Sequence, residues 1–185
     1  MLVYSLLCVA LATGNALFWL HKWHEQGVEL CFADTMMTGV QPSFLLMLLI
    51  PPTLGLVHQL KFILEQPFVI CALDNRARLA RNLLAALLFI AFRAVMAVSI
   101  PSIALGALLF RGGKPCTWES GASYYAYMTG QTLITPVKTG SLIVWQAMTI
   151  WLTVLLVSIL FLSINLSCES HQLGSILSWG VCLLA

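Results

Sequence analysis

Charge is scarce in this sequence: nine Lys and Arg and seven Asp and Glu make up only 9% of its 185 residues, where about 25% is usual for soluble domains. With 60% apolar residues and a mean hydropathy of +0.93, the chain cannot present a soluble surface, and the bilayer is the solvent it suits. The net charge of +2 is too small to attract a phosphate backbone, and the basic residues are not interleaved with aromatics, so nucleic acid is set aside as a partner. No CxxC pair occurs among the six cysteines, Cys8, Cys31, Cys71, Cys116, Cys168 and Cys182, which removes zinc knuckles and redox dithiols. GxSxG, a Walker lysine loop and HExxH are all missing. The expectation is a protein that is not an enzyme and carries no cofactor. No basic residue precedes the first apolar run, so "MLVYSLLCVALATGNALFWL" reads as a retained first span and not as a cleaved signal peptide.

What is present is a series of apolar runs, and they predict an all-α fold: one domain over 1–185, a multi-pass transmembrane helical bundle with four spans and a short apolar C-terminal segment. Residues 2–20 form the first run, about the 20 residues that cross a ~30 Å hydrocarbon layer. A polar, acidic segment follows, then a second run over 43–60 containing Pro51 and Pro52. Two consecutive prolines remove two helix hydrogen bonds and predict a kink or local unwinding near mid-span. The mixed stretch 61–82, with Lys61, Arg76, Arg78 and Arg81, reads as an interfacial elbow.

The third run, 83–110, is too long for an untilted span and is interrupted by Arg93 and Pro101. Either a tilted helix crosses from about Leu83, or an amphipathic segment lies at the interface up to Arg93 and 94–110 crosses alone. The first is preferred, with Arg93 in the inner half, where its long side chain can snorkel. Residues 111–140 are a polar loop whose Trp118, Tyr124, Tyr125 and Tyr127 suit a membrane surface. The fourth span is expected over 141–166, and 173–185 is too short to cross, so it reads as an interfacial tail or part of a fifth span.

Placing the N-terminus in the cytoplasm ties the charge count, with Lys61, Arg76, Arg78 and Arg81 inside against Lys22, Arg111, Lys114 and Lys138 outside. Arginine clustering, the acidic Glu25, Glu29 and Asp34, and the grouped aromatics favour that orientation in the cell membrane. It puts Cys31 and Cys116 on the same, oxidising side, which permits a disulfide, although two unpaired thiols are the simpler reading.

Three groups of residues invite chemistry. In "HKWHE", His21, His24 and Glu25 share a helix face and suit a zinc or copper ion, while a charged cap at the end of a span explains them without metal. His58, near the inner end of the second span, and Arg93 are intramembrane polar residues. Small residues four apart, Ala10 with Gly14 and Ser102 with Gly106, allow close helix packing. The third group is "DNRARLAR", where Asp74, Arg78 and Arg81 form an acid–base stripe with Arg76 beside it. It serves either as a topology anchor on anionic headgroups or as a surface for partner docking.

"KFILEQPFVICALDNRARLARNLLAALLF", supported by "VWQAMTIWLTVLLVSILFLSINL", resembles the membrane subunits of bacterial ATP-binding-cassette transporters of the type 2 exporter class, in particular small permeases tied to export of, or immunity to, lantibiotic-like peptides. The resemblance is one of layout, covers roughly half the chain, and departs from the six spans usual in such permeases. It implies a separate ATPase subunit docking on the elbow at Arg76, Arg78, Arg81 and Asp74, assembly into a homo- or hetero-oligomer within the lipid bilayer, and a peptide or other amphipathic substrate. The residues themselves leave open a non-catalytic small membrane protein for immunity, assembly or interaction, and, behind it, a membrane-embedded metal-dependent enzyme built on His21 and His24.

Overall fold

The computed structural model describes residues 2–64, 76–110, 118, 120–131 and 138–167. Asp74, Cys116 and the segment 173–185 lie outside the described residues. Among the described residues six α-helices are formed: α1 (Leu2–Glu25), α2 (Phe32–Thr38), α3 (Ile50–Leu64), α4 (Arg76–Leu109), α5 (Tyr124–Thr129) and α6 (Thr139–Ser167), with a π-helical segment, Phe44–Leu49, leading into α3. Among the described residues four helices are long and apolar enough to cross a membrane, Leu2–Glu25, Phe44–Ile63, Ala80–Leu109 and Thr139–Asn165. The chain is an all-α, multi-pass helical bundle, as its apolar runs predict.

Helix α4 is the central element and packs on α1 and α6, and α3 lies against α6. The core between them is aliphatic and small, with Leu54, Ile90, Ala94, Val98, Ile150 and Val154 buried around Phe161. Small residues at Ala91 and Ala94 let neighbouring backbones approach, which is how spans gain packing when lipid offers no hydrophobic drive to associate.

Contacts between helices give a depth scale at about 1.5 Å per helical residue. Asn15 Nδ2 donates to the Thr38 carbonyl at 2.9 Å, and Gly39 faces Val98 and Gln146, so these residues share one level. Tyr4 and Thr53 exchange a hydroxyl hydrogen bond at 2.9 Å below it. Lower still, Lys61 Nζ donates to the Asn165 carbonyl at 3.3 Å. From Gln146 down to Asn165 is about 28 Å and from Asn15 up to Glu25 about 15 Å, together close to the ~40–45 Å of a bilayer with its headgroups. Lys61 thus marks one face of the bundle and Trp23 the other.

Two expectations from sequence are refined. Pro51 and Pro52 do not break the second span: the Ile50 N–H bonds the Leu45 carbonyl five residues back, and the helix continues to Leu64. A proline ring clashes with the carbonyl four residues before it, and widening the ladder to π geometry just upstream moves those carbonyls aside. The alternative of an interfacial segment ending at Arg93 is not what forms, because α4 runs unbroken through Arg93 and Pro101.

Candidate functional site

The polar segment after α1 contains more than a loop. Gly27, at φ 75°, turns the chain out of α1, with the Val28 N–H returning to the Trp23 carbonyl at 3.1 Å. Cys31 is extended and opens α2: its N–H donates to Asp34 Oδ2 at 2.7 Å while the Asp34 N–H donates back to the Cys31 carbonyl at 3.1 Å. That reciprocal cap starts a helix of only seven residues.

Helix α2 is wedged among α1, α4 and α6. Its Thr38 lies at the level of Asn15, below Trp19 and Trp23 in α1, so α2 enters the bundle from the Trp23 end and stops within it. Room is made by glycine. A Cβ on Gly106 would lie 2.6 Å and 2.7 Å from the Phe32 ring and 2.7 Å from Thr35 Oγ1, and a Cβ on Gly39 would lie 2.5 Å from Gln146 Nε2. Irregular backbone at membrane depth is tolerated only where protein or a polar cavity surrounds it, and α2 meets that condition.

Asp34 is fully buried at the top of this wedge. Trp118 Nε1 donates to its Oδ1 at 2.7 Å and the Cys31 N–H holds its Oδ2, so each carboxylate oxygen meets a donor-only group. Above it lies an aromatic cover. Trp23 packs on Tyr124 with centroids 4.2 Å apart, and Trp118 stacks on Tyr125 at 5.7 Å. Ser123 fixes that cover by accepting from the Ala126 N–H at 3.3 Å and donating to the Trp118 carbonyl at 3.3 Å. The Glu29 N–H, bonded to the Ala122 carbonyl at 2.8 Å, ties the two loops together. Burial pushes the Asp34 carboxyl above its ordinary value, and the donors from Trp118 and Cys31 oppose that shift without cancelling it. Burial likewise raises the Tyr124 phenol, which hydrogen-bonds Gln41 and feels the Asp34 charge.

Below Asp34 a polar column descends between the spans. Thr35 and Thr38 are buried and bond backbone carbonyls within α2. Gln146 is fully buried, and its Nε2 makes only a long 3.5 Å contact with Ser102 Oγ. The Oε1 atoms of Gln41 and Gln146 and the Oγ of Ser99 are buried with no hydrogen-bond partner among the described residues. Unpaired oxygens are costly in a medium without water, so each of them suits a water, an ion or another polar group. The same groups can exchange hydrogen bonds with a passing ligand, whereas a carboxyl raised toward neutrality can also take up or release a proton.

The residues singled out from sequence fall elsewhere. His21 and Glu25 form an exposed ion pair at 3.3 Å, and among the described residues no three His, Cys, Asp or Glu side chains converge on a metal position. The HKWHE face is exposed at the end of α1. His58 is exposed and lies edge-on to Phe161 with centroids 6.4 Å apart, so it is not a core histidine. Arg78 and Arg81 are exposed in the first turns of α4 at the Lys61 end, apart from the Asp34 column, and Arg76 begins that helix. Cys31 is buried as the cap of α2, and its pairing with Cys116 concerns a residue outside those described. Trp118 and Tyr124 are buried against Asp34, where the sequence suggested a membrane-surface role; Tyr127 is exposed. Of the small-residue pairs, Gly106 forms a close seat for α2 and Ser102 meets Gln146 of α6, while Gly14 has nothing within 4 Å of its Cβ position. The missed residues, Asp34 above all, had one legible signal: Cys31 to Asp34 is a capping spacing and Gly39 a stop signal around "FADTMMT". No family model, curated protein or solved structure matches the chain.

Proposed function

We propose that the chain is a permease-like membrane subunit of a transporter, working with a separate ATPase and moving a peptide or other amphipathic substrate. The observation that carries this reading is the re-entrant helix α2, which brings Thr35, Thr38 and the unpartnered Gln146 oxygen to membrane depth beneath Asp34. A short helix ending inside the bundle, beside a buried amide oxygen with no partner among the described residues, is an expensive arrangement for a purely structural protein and a useful one for a path. In this reading the aromatic cover and the Trp118–Asp34 hydrogen bond close the path at the Trp23 end. Exposed Arg78 and Arg81 at the other end supply the docking surface for the ATPase, since planar guanidinium groups pair bidentately with carboxylates on a partner.

A second reading, a non-catalytic subunit that acts by binding in immunity or assembly, draws on the tightness of that same cover, with Asp34 fully buried. Co-purification separates the two. Under the transport reading, an ATPase captured with the wild-type chain is lost on changing Arg78 and Arg81 together to Gln, while insertion of the chain is retained because the flanking spans are apolar enough to insert alone. Changing both to Lys, which keeps charge but loses the fork, weakens capture. Retention of the ATPase by the Gln pair, or absence of any ATPase from the wild-type preparation, contradicts the docking role and leaves the binding subunit as the better reading.

A further inference from the structure

Arg93 is the only charged residue between Asn82 and Phe110, and among the described residues no carboxylate lies within ion-pair distance of it, the ion pair formed there being His21 with Glu25. Its guanidinium makes one long hydrogen bond, Nη1 to Ser5 Oγ at 3.4 Å, and sits 4.9 Å over the Phe89 ring. Depth explains the direction in which it reaches. Arg93 lies five residues below Val98, about 7.5 Å, whereas Ser5 lies ten residues below Asn15 at the same starting level, about 15 Å. The side chain covers that difference by leaning toward the Lys61 end, as long helical side chains lean toward their own N-terminus.

Beside it, between α1 and α4, a lipid-facing groove of about 510 Å³ opens. Ser5 and Val9 form one wall, Met96, Ile100 and Pro101 the other, and Arg93 closes the end nearest Ser5. The groove therefore has a cationic foot and an apolar body that rises about 12 Å from Arg93 to Pro101. A half-buried cation with no carboxylate partner among the described residues, at the base of an apolar slot, is complementary to an anionic head on a hydrocarbon tail. Arg78 and Arg81, exposed at the same end, draw anionic headgroups to that leaflet.

We infer that this groove holds one anionic phospholipid from the leaflet at the Lys61 end, its phosphate paired with the fork of Arg93 and one acyl chain lying along Met96, Ile100 and Pro101. The site is separate from the Asp34 column and does not depend on the transport reading. Native mass spectrometry of the full chain in neutral detergent tests it, with titration by phosphatidylglycerol, by phosphatidylcholine of the same chains, and by oleate. One phosphatidylglycerol per chain is expected to bind at least about tenfold more tightly than phosphatidylcholine. Arg93→Gln is expected to remove that preference and Arg93→Lys to reduce it. Ile100→Trp, at a lipid-exposed position that tolerates bulk, is expected to weaken binding although Arg93 remains. The Arg78→Gln, Arg81→Gln pair leaves the tight lipid in place. Equal binding of phosphatidylcholine, a preference for oleate, wild-type behaviour of Arg93→Gln, or indifference to Ile100→Trp each overturns the site. If Arg93→Gln does not fold, the headgroup comparison and Ile100→Trp decide in the same way.

Discussion

At the scale of single residues, the molecule is organised by one carboxyl group placed where carboxyl groups are costly. Asp34 is fully buried, and its two hydrogen bonds, from Trp118 and from the Cys31 N–H, compensate only part of the lost hydration. Because burial outweighs those donors, its folded pKa lies above the ordinary 3.8, so between the two values the folded state binds the proton more tightly than the unfolded chain. Stability from this group is thus fully present below that ordinary value and is lost as pH rises through the folded pKa. Thermal unfolding in detergent is expected to give a midpoint that falls with rising pH across this window, and Asp34→Asn is expected to flatten the difference; a midpoint that rises more steeply in the wild type than in the variant contradicts it. Trp118→Phe keeps the ring and removes the Nε1 donor, leaving a buried oxygen unpaired at a cost of about 1–3 kcal/mol. Sequence composition hid this group, since Asp34 sits in an acidic stretch with Glu25 and Glu29 and looks like one more solvated charge.

Among elements, the four spans were legible and the short wedge was not. Continuous apolar runs at 2–20, 43–60, 83–110 and 141–166 correspond to α1, the π segment with α3, α4 and α6, because membrane solvation writes itself into sequence as long uninterrupted hydrophobicity. Helix α2 is seven residues long, too short for periodicity to register, and is specified by its seat more than by its own pattern. The seat is testable with one kind of substitution at two sites. Gly106→Ala puts a methyl group into the Phe32 ring and Thr35 Oγ1, and overpacking of this sort costs about 1–3 kcal/mol. Gly14→Ala meets nothing within 4 Å and is expected to be neutral or to stabilise α1 by roughly 0.5–1 kcal/mol through helix propensity. Comparable midpoints for the two variants would mean that α2 is not held against α4 as described. The prolines carry a related lesson: Pro51 and Pro52 signalled an irregularity correctly, but its form, a widened ladder and not a break, depends on Leu45 and Ile50 finding each other five residues apart.

For the whole molecule, the bundle divides its two faces by chemistry. One end carries exposed Arg78 and Arg81 with buried Lys61 tied to Asn165. The other carries the aromatic cover over Asp34, and among the described residues the short helix α2 enters the bundle from that side. That asymmetry was partly readable, since clustered arginines and grouped tryptophans lie far apart in the chain, whereas the meeting of Trp118 with Asp34 joins residues 84 apart and has no local signature. Under the proposed function, α2 lines a path that opens during transport. Its most direct measurement is labelling of Thr38→Cys, in a chain whose native cysteines are replaced, by a small membrane-impermeant thiol reagent added at the Trp23 side, with and without the partner ATPase turning over ATP. Thr38 is buried beneath the cover, so labelling is expected to be slow at rest and markedly faster during turnover, and faster again at rest when Trp118→Phe loosens the cover. A Thr38→Cys chain that stays unlabelled under turnover while the ATPase is bound and active would contradict a path along α2.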